Sequence, residues 1–173
     1  MKLISYSIIL ILASVLISCD DDDTTPQPLT QGDIQGEWFL NELNASEPVD
    51  LNNDGNSSID LTQETSCFDG MVVNFEDDTY QFTYPKINFT GENNETLNCG
   101  DTLNTGIYTL DNNILTATTT IDDSTTTESV NVELNNNQLK FTITSSQVSE
   151  YLDLENNSNE NSDLEFLEFV FEK

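Results

Sequence analysis

Thr79-Tyr80-Gln81-Phe82-Thr83-Tyr84 carries the clearest strand pattern of the chain. Three aromatic residues alternate with three polar ones, and successive side chains of a β-strand point to opposite faces. This period of two is typical of a strand with one face buried and the other in water. The acidic turn Glu76-Asp77-Asp78 joins it to an apolar stretch, residues 71–75, so the two stretches are predicted to form an antiparallel hairpin.

Similar short stretches recur along the rest of the chain. They are rich in Thr, Val, Ile and aromatic residues, and turn-forming runs such as Asp111-Asn112-Asn113 and Asn135-Asn136-Asn137 separate them. Residues 44–66 and 145–163 are interpreted as polar, turn-rich connections, and no long stretch shows a helical stripe. The predicted strands are residues 36–40, 71–75, 79–84, 87–90 (a short edge strand), 106–110, 114–120, 130–134, 139–143 and 166–172.

The fold class that follows is all-β. Strands joined by hairpin-length turns pair with their neighbours in sequence and form an antiparallel sheet with one wet face. About eight such strands close best as a barrel, because closure leaves no long open edge. An antiparallel up-and-down β-barrel of about eight strands is therefore predicted for residues 32–173.

Residues 1–18 have the composition of a signal peptide. Lys2 gives the positive start, and the apolar run from Leu3 to Ile17 is too short to span a bilayer as a helix. Leu16-Ile17-Ser18-Cys19 resembles the lipobox of bacterial lipoproteins. The resemblance implies cleavage before Cys19, lipidation and acylation of that residue, and anchoring in a lipid bilayer. The alternative is an ordinary secretory signal followed by an unrelated cysteine.

An acidic and proline-containing tether follows, residues 19–31. Asp20 to Asp23 cannot be buried and repel one another, and Pro26 and Pro28 stiffen the segment that continues the run. The run resembles the export signal of surface lipoproteins in bacteria of the Bacteroidetes type. That resemblance implies an outer-membrane lipoprotein that faces the cell exterior. A charged spacer is the alternative interpretation.

The charge balance excludes several kinds of function. The chain has 32 acidic residues against four lysines, a formal net charge of -28, no arginine and no histidine. Such a surface repels phosphate backbones, so nucleic acid is not an expected partner. Without histidine the chain has no Ser-His-Asp or Cys-His pair and no histidine-bound zinc. Paired carboxylates could act as in glycosidases, but no pair stands out, and the protein is predicted not to be an enzyme.

If Cys19 is lipidated, two cysteines remain that can form a disulfide. In an exported protein Cys67 and Cys99 most often pair with each other. The closed loop of about 33 residues would stabilise the fold by about 3.7 kcal/mol in the chain-entropy model. Two free thiols are the alternative.

Gly36-Glu37-Trp38, with Leu40 two residues on, resembles the opening motif of lipocalins. With the Cys67 and Cys99 pair and the series of hairpins, it makes residues 30–173 similar to the lipocalin-like domains of Bacteroidetes lipoproteins. The resemblance implies a barrel with the tryptophan in its core at one end, and a small apolar or amphipathic ligand inside. It also implies an arginine from the last strands that packs on the tryptophan, and this chain has no arginine.

One loop has the oxygen-rich pattern of a calcium site. Asp50, Asn52 and Asp54 stand at positions 1, 3 and 5 of such a loop, and Gly55 stands at the sharp turn of position 6. The loop resembles those of EF-hand and dockerin modules, although the acid expected at position 12 comes one residue early and no amphipathic helices flank it. A loop that is merely rich in Asn, Asp and Gly is the alternative. The other candidate ligands are Asn56, Ser58 and, to complete the shell, Asp60 or Glu64.

Two functions are consistent with these features. The first is a lipid-anchored, surface-exposed barrel that binds a small apolar or amphipathic ligand. The second is a calcium-stabilised interaction or adhesion protein, whose barrel is filled by side chains and whose partner is another surface protein. The two differ in the size of the interior cavity, because small barrels are either packed solid or hold one ligand.

Overall fold

A computed structural model describes residues 27–90, 96–121, 124–152 and 164–173. The predicted signal peptide and Cys19 lie outside these residues, as does the tether up to residue 26. The elements, in chain order, are α1 (Gln31–Ile34), β1 (Gly36–Val49), β2 (Ser58–Asp60), two 3-10 turns (Leu61–Gln63 and Ser66–Phe68), β3 (Val72–Glu76), β4 (Thr79–Thr90), β5 (Thr96–Asp111), β6 (Ile114–Ile121), β7 (Ser124–Asn135), β8 (Gln138–Thr144), α2 (Ser145–Tyr151) and β9 (Phe166–Glu172).

Eight strands form a closed antiparallel barrel. From β3 to β9 each strand pairs with the next in sequence, and β1 pairs with both β3 and β9, which closes the ring. The short strand β2 lies beside β1 and pairs with it over part of its length. The predicted all-β, up-and-down barrel of about eight strands is confirmed.

The hairpin β4–β5 is longer than predicted. The separate edge strand predicted at residues 87–90 is wrong, because these residues continue β4 in unbroken register with residues 96–99 of β5. The cause lies in the burial pattern: Tyr84 is buried on the inward face, and from Pro85 onward the other face is buried. The alternation therefore changes phase within one continuous strand, which imitates a break in the sequence pattern.

Asparagine pairs form two of the predicted hairpin turns. Asn112-Asn113 connects the paired residues at the ends of β5 and β6, and Asn136-Asn137 does the same for β7 and β8. All four asparagines have positive φ, between 48° and 69°. A two-residue turn that matches the twist of the strands needs positive φ at both positions, and asparagine tolerates that conformation better than most residues.

A bulge in β1 keeps its apolar side chains inside the barrel. The register against β9 shifts between Leu40 and Glu42, so one residue of β1 is extra. Trp38 is buried before the shift, and Leu43 and Ala45 are buried after it. Without the extra residue the second half of the strand would turn its apolar side chains to solvent.

The connection interpreted as polar, residues 145–163, begins with helix α2. Thr144 and Gln147 form a capping box at its start, and Val148 is buried on its inner side. Leu152, directly after the helix, forms a bridge with Ile87 of β4. The helix therefore packs against the barrel at the end of β8. Across the described ranges, no helix combines the length and apolar character needed to cross a bilayer.

Candidate functional site

The two ends of the barrel are built from different parts of the chain. The closed end carries α1 and the turns β3–β4, β5–β6 and β7–β8. The open end carries the loop between β1 and β2, the connections β4–β5 and β6–β7, and α2.

Trp38 packs at the closed end, where the motif Gly36-x-Trp38 predicted it. Its side chain is 1% exposed, and its indole Nε1 donates a hydrogen bond of 2.7 Å to the carbonyl of Ile34. Gly36 has a φ of 103°, which a residue with a side chain rarely adopts, and this lets the chain turn from α1 into β1.

Lys173 packs on Trp38 in the role that the resemblance assigned to an arginine. Its Nζ lies 4.3 Å from the ring centroid and donates to the carbonyl of Gln35. A cation over an indole face is attracted by the negative charge of that face, typically by about 0.5–1 kcal/mol at partly exposed sites. The sequence did not predict this contact, because the family resemblance implies an arginine at this place and the residue found there is Lys173.

Gln35 ties α1 to the neighbouring turns. Its Nε2 donates to the Tyr108 hydroxyl at 2.6 Å, and its Oε1 accepts from the amide of Asp77 at 2.9 Å. Burial, and then the carboxylates of Asp77 and Asp78, raise the pKa of Tyr108. The raised pKa keeps the Tyr108 phenol protonated. The hydrogen bonds of Gln35 connect the side chains that fill the closed end.

The barrel interior toward the open end contains a cavity of about 630 Å³. Aromatic and aliphatic side chains form most of its wall: Val73, Phe75, Tyr80, Phe82, Tyr84, Leu115, Ala117, Ile121, Val130, Phe141, Ile143 and Tyr151. Polar side chains form the rest: Lys86, Thr102, Asn104, Thr119, Ser124, Thr126 and Glu128.

The strand pairing explains why the cavity opens at this end. β5 pairs with β4 from Thr96 onward but with β6 only from Gly106 to Asp111. Among the described strands, the first part of β5 therefore has a partner on one side only. Deeper in the wall, Gly106 permits close packing, since a Cβ there would lie 2.1 Å from the carbonyl oxygen of Thr118.

Hydrogen bonds and ring contacts hold the cavity wall in place. The Tyr80 hydroxyl is bonded to that of Thr119, and Asn104 Nδ2 donates to the Tyr84 hydroxyl at 3.3 Å. The ring of Tyr151, from α2, lies 5.0 Å from that of Tyr84. The alternation in β4 predicted that Tyr80 and Tyr84 share the inward face. Nothing in the sequence signalled Tyr151, because a helix of seven residues is too short to show a clear period.

The predicted calcium loop is organised by its own side chains. Asp50 accepts hydrogen bonds from the amides of Asp54 at 3.1 Å and Gly55 at 2.8 Å. Asn52 Oδ1 accepts from the same amide of Asp54 at 2.9 Å. The Asp54 carboxylate accepts from the backbone and side chain of Asn56, and these bonds lower its pKa. The predicted turn at Gly55 has a φ of 87°.

Glu64 borders this loop, whereas Asp60 is engaged elsewhere. Glu64 Oε2 accepts from the amide of Leu51 at 3.3 Å, and burial, then the charges of Asp50 and Asp54, raise its pKa. Asp60 instead accepts from the amides of Leu43 and Thr62, so it caps the 3-10 turn that follows it, while Ser58 begins β2 opposite Val49. No group of three acidic or cysteine side chains within the described ranges is arranged to hold a metal ion. Calcium stays a prediction.

Cys67 and Cys99 are joined by a disulfide, as predicted. Their Cα atoms are 5.8 Å apart across a sequence separation of 32 residues. Cys67 belongs to the second 3-10 turn, and Cys99 stands opposite Ile87 in the β4–β5 ladder. The bridge therefore attaches the extended part of this hairpin to the connection between β2 and β3.

Comparison with known proteins identifies a family. The profile described as a lipocalin-like domain matches residues 34–141. The chain is also similar to the crystal structure of an uncharacterized protein from Bacteroides eggerthii DSM 20697, with 14% sequence identity and a TM-score of 0.39, over 80% of this chain and 98% of that one. No curated protein matches. Because the family profile covers more than half of its residues, this chain belongs to the lipocalin-like domain family.

Proposed function

We propose that this protein is a membrane-anchored, surface-exposed lipoprotein whose barrel binds a small apolar or amphipathic ligand. The observation that supports a bound ligand is the cavity of about 630 Å³ inside the barrel. Small-molecule sites typically measure about 300–1,000 Å³ and combine apolar walls with a few placed polar groups. A barrel of this size that bound nothing small would be filled by its own side chains.

Filling the cavity tests the proposal. Ala117 lines the cavity on β6, between Leu115 and Thr119 on the same face, so Ala117→Phe places a ring inside it. We expect loss of binding of an uncharged apolar dye, measured by fluorescence titration, with the fold retained. Overpacking of this kind typically costs about 1–3 kcal/mol, which a stable barrel tolerates.

The matched control is Thr118→Phe, which adds the same ring on the outer face of β6, where Thr118 bonds to Thr127 across the hairpin. This variant should bind the dye like the wild type. Equal binding by the wild type and Ala117→Phe would mean that the dye uses another surface, and the ligand proposal would then fail.

The anchor has its own experiment. Leu16-Ile17-Ser18 before Cys19 and the acidic run after it support lipidation and surface display. Cys19→Ser should move the protein from the membrane fraction to a soluble one, because several acyl chains on one residue anchor far more strongly than one. Membrane retention with incorporated lipid label in this variant would contradict the anchor. Full protection of the wild type from protease added to intact cells would contradict surface display.

We also propose a second candidate, a calcium-stabilised surface interaction or adhesion protein. The observation that favours it is that Asp50 and Glu64, both buried, lie near Asp54 and repel one another electrostatically. Calcium takes six to eight oxygens, so amide and carbonyl oxygens of the loop would supply what the carboxylates do not.

Thermal melting tests calcium. Calcium at about 100 times its dissociation constant should add about 2.7 kcal/mol by mass action. Magnesium at equal ionic strength should do less, because it keeps its waters and demands octahedral geometry. Asp54→Ala should remove the calcium-specific part of the gain. Equal shifts with both ions, unchanged in Asp54→Ala, would mean that the ions screen the acidic surface as a whole.

A further inference from the structure

We infer that the cavity takes an amphipathic anion, a ligand whose acidic group lies beside Lys86 and whose apolar body lies against the aromatic wall. The acidic group can be a carboxylate or another small anion of similar size. This inference rests on the proposed function, because it specifies the ligand of the same cavity.

The ladder of β4 sets Lys86 at the cavity. Tyr80, Phe82, Tyr84 and Lys86 stand two residues apart on one face of a strand whose register with β5 is unbroken, and all four line the cavity. The three aromatic residues are buried, whereas Lys86 is exposed, nearer the open end. The row therefore passes from an apolar wall to one positive charge at the mouth.

Among the residues described by the structure, Lys86 is the one cation that lines this cavity. The other two lysines of residues 19–173 are placed elsewhere: Lys173 packs on Trp38, and Lys140 stands on β8 opposite Glu133. An ammonium at the edge of an apolar cavity is poorly solvated on that side and is stabilised by an anion placed there.

Space for an acidic group exists next to Lys86. Its partner across the β4–β5 ladder is Gly100, where an added Cβ would have no atom within 4 Å. Thr102, two residues along β5 on the same face, also lines the cavity and has a hydroxyl that can donate to a bound anion. A carboxylate here would accept from a charged donor and a neutral one.

Glu128 favours one orientation of the ligand in the cavity. Among the residues that the structure describes it is the one carboxylate in the wall, and it lies on β7 opposite Ala117. An acidic group deep in the cavity would approach Glu128, whereas one at the mouth approaches Lys86. The charges of the wall therefore favour a ligand that enters with its apolar end first.

Two probes of equal length separate this inference from the proposed function. Dodecanoate and dodecanol share one apolar chain and differ in charge. We expect the wild type to bind dodecanoate about tenfold more tightly than dodecanol, measured by displacement of an uncharged dye at about 0.15 M salt, since a hydrogen bond to a charged group contributes more than a neutral one. Lys86→Gln should lose this preference and bind dodecanol as before.

Two variants serve as controls. Lys140→Gln makes the same change in net charge on β8, away from the cavity, and should keep the preference for dodecanoate. Glu128→Gln removes the repelling carboxylate of the wall and should increase it. Unchanged dodecanol binding by Lys86→Gln also shows that this variant is folded.

The outcomes are distinguishable. Binding of both probes without a preference, or the same preference in Lys86→Gln as in the wild type, overturns the anionic ligand and leaves the ligand-binding barrel standing. Binding of neither probe, together with no dye binding, overturns both proposals.

Discussion

Trp38, Ile34 and Tyr108 are almost completely buried at the closed end of the barrel, whereas inward residues of the same sheet at the open end line a cavity. The same strands run through both ends, but β5 pairs with β6 only toward the closed end. The supply of filling groups also differs. At the closed end α1, Gln35 and Lys173 come from outside the strands and occupy the mouth. At the open end α2 contributes Tyr151 to the cavity wall, where its ring packs on that of Tyr84.

The two ends of the barrel are therefore expected to contribute differently to stability and to binding. Side chains at the closed end hydrogen-bond and pack on one another, so a change there is expected to lower the free energy of unfolding. Inward side chains at the open end border empty space, so a change there is expected to alter affinity first. Three predictions test this division, beginning with the largest expected effect.

Trp38→Ala should lower the free energy of unfolding more than the other changes. Removing a fully buried tryptophan typically costs about 3–5 kcal/mol, because apolar contacts are lost and a void remains. Here the indole hydrogen bond to Ile34 and the contact with Lys173 are lost as well. The free energy of unfolding, from urea titration, should fall by about this amount. Dye affinity should change little while the variant is folded.

Phe39→Ala is the control for that prediction. Phe39 is the next residue of β1 and is 55% exposed, so its loss should cost far less. A similar loss of unfolding free energy at both positions would show that tight packing at the closed end does not stabilise the fold. A large loss of dye affinity in folded Trp38→Ala would show that the two ends are not independent.

The disulfide at the open end should have the next largest effect. The chain-entropy model gives about 3.7 kcal/mol for a loop of about 33 residues. Replacing both Cys67 and Cys99 by serine should lower the free energy of unfolding by up to this amount. The same change should weaken dye binding, because the bridge restrains the extended hairpin β4–β5, which carries Lys86 and Thr102. Reductant should have no effect on this double variant.

Thiol labelling checks the bridge independently. The wild type, denatured without reductant, should show no labelling at Cys67 or Cys99. Labelling there would contradict the disulfide. An unchanged melting point on reduction would show that the disulfide does not stabilise the fold.

The sequence was informative where one local rule decides the structure. Alternation in Thr79–Tyr84 predicted a strand and its inward face, and the asparagine pairs predicted two tight turns. Gly36 and Trp38 indicated a lipocalin-like domain, and the profile of that family matches residues 34–141. In these places neighbouring residues determine backbone conformation, or burial follows directly from the period of the strand.

Sequence reasoning failed where distant residues decide. Lys173 lies far along the chain from Trp38, and no local pattern connects them. The extension of β4 past Pro85 was hidden because the buried face changes when another part of the protein covers it. The cavity was undecidable as well, since inward aromatic residues can fill a barrel or line a space within it.

The smallest effect that we expect concerns Glu64 at the open end. Burial first, and then the charges of Asp50 and Asp54, raise its pKa above the ordinary value of 4.5. The folded protein therefore holds this proton to higher pH than the unfolded chain does. The stability contributed by this group is present below the unfolded pKa and is lost as pH rises through the folded one.

Glu64→Gln removes this titration, while its amide oxygen can still accept the hydrogen bond from Leu51. Relative to the wild type, the variant should become more stable as the pH rises from about 4 to about 7, measured by urea unfolding at each pH. Glu47→Gln makes the same charge change at an exposed residue of β1 and should show no such trend. A stability difference that stays constant, or that shrinks with rising pH, would contradict the prediction. Saturating calcium sharpens the test: if Glu64 binds the ion, it is held ionised, so calcium should stabilise the wild type more than Glu64→Gln at neutral pH.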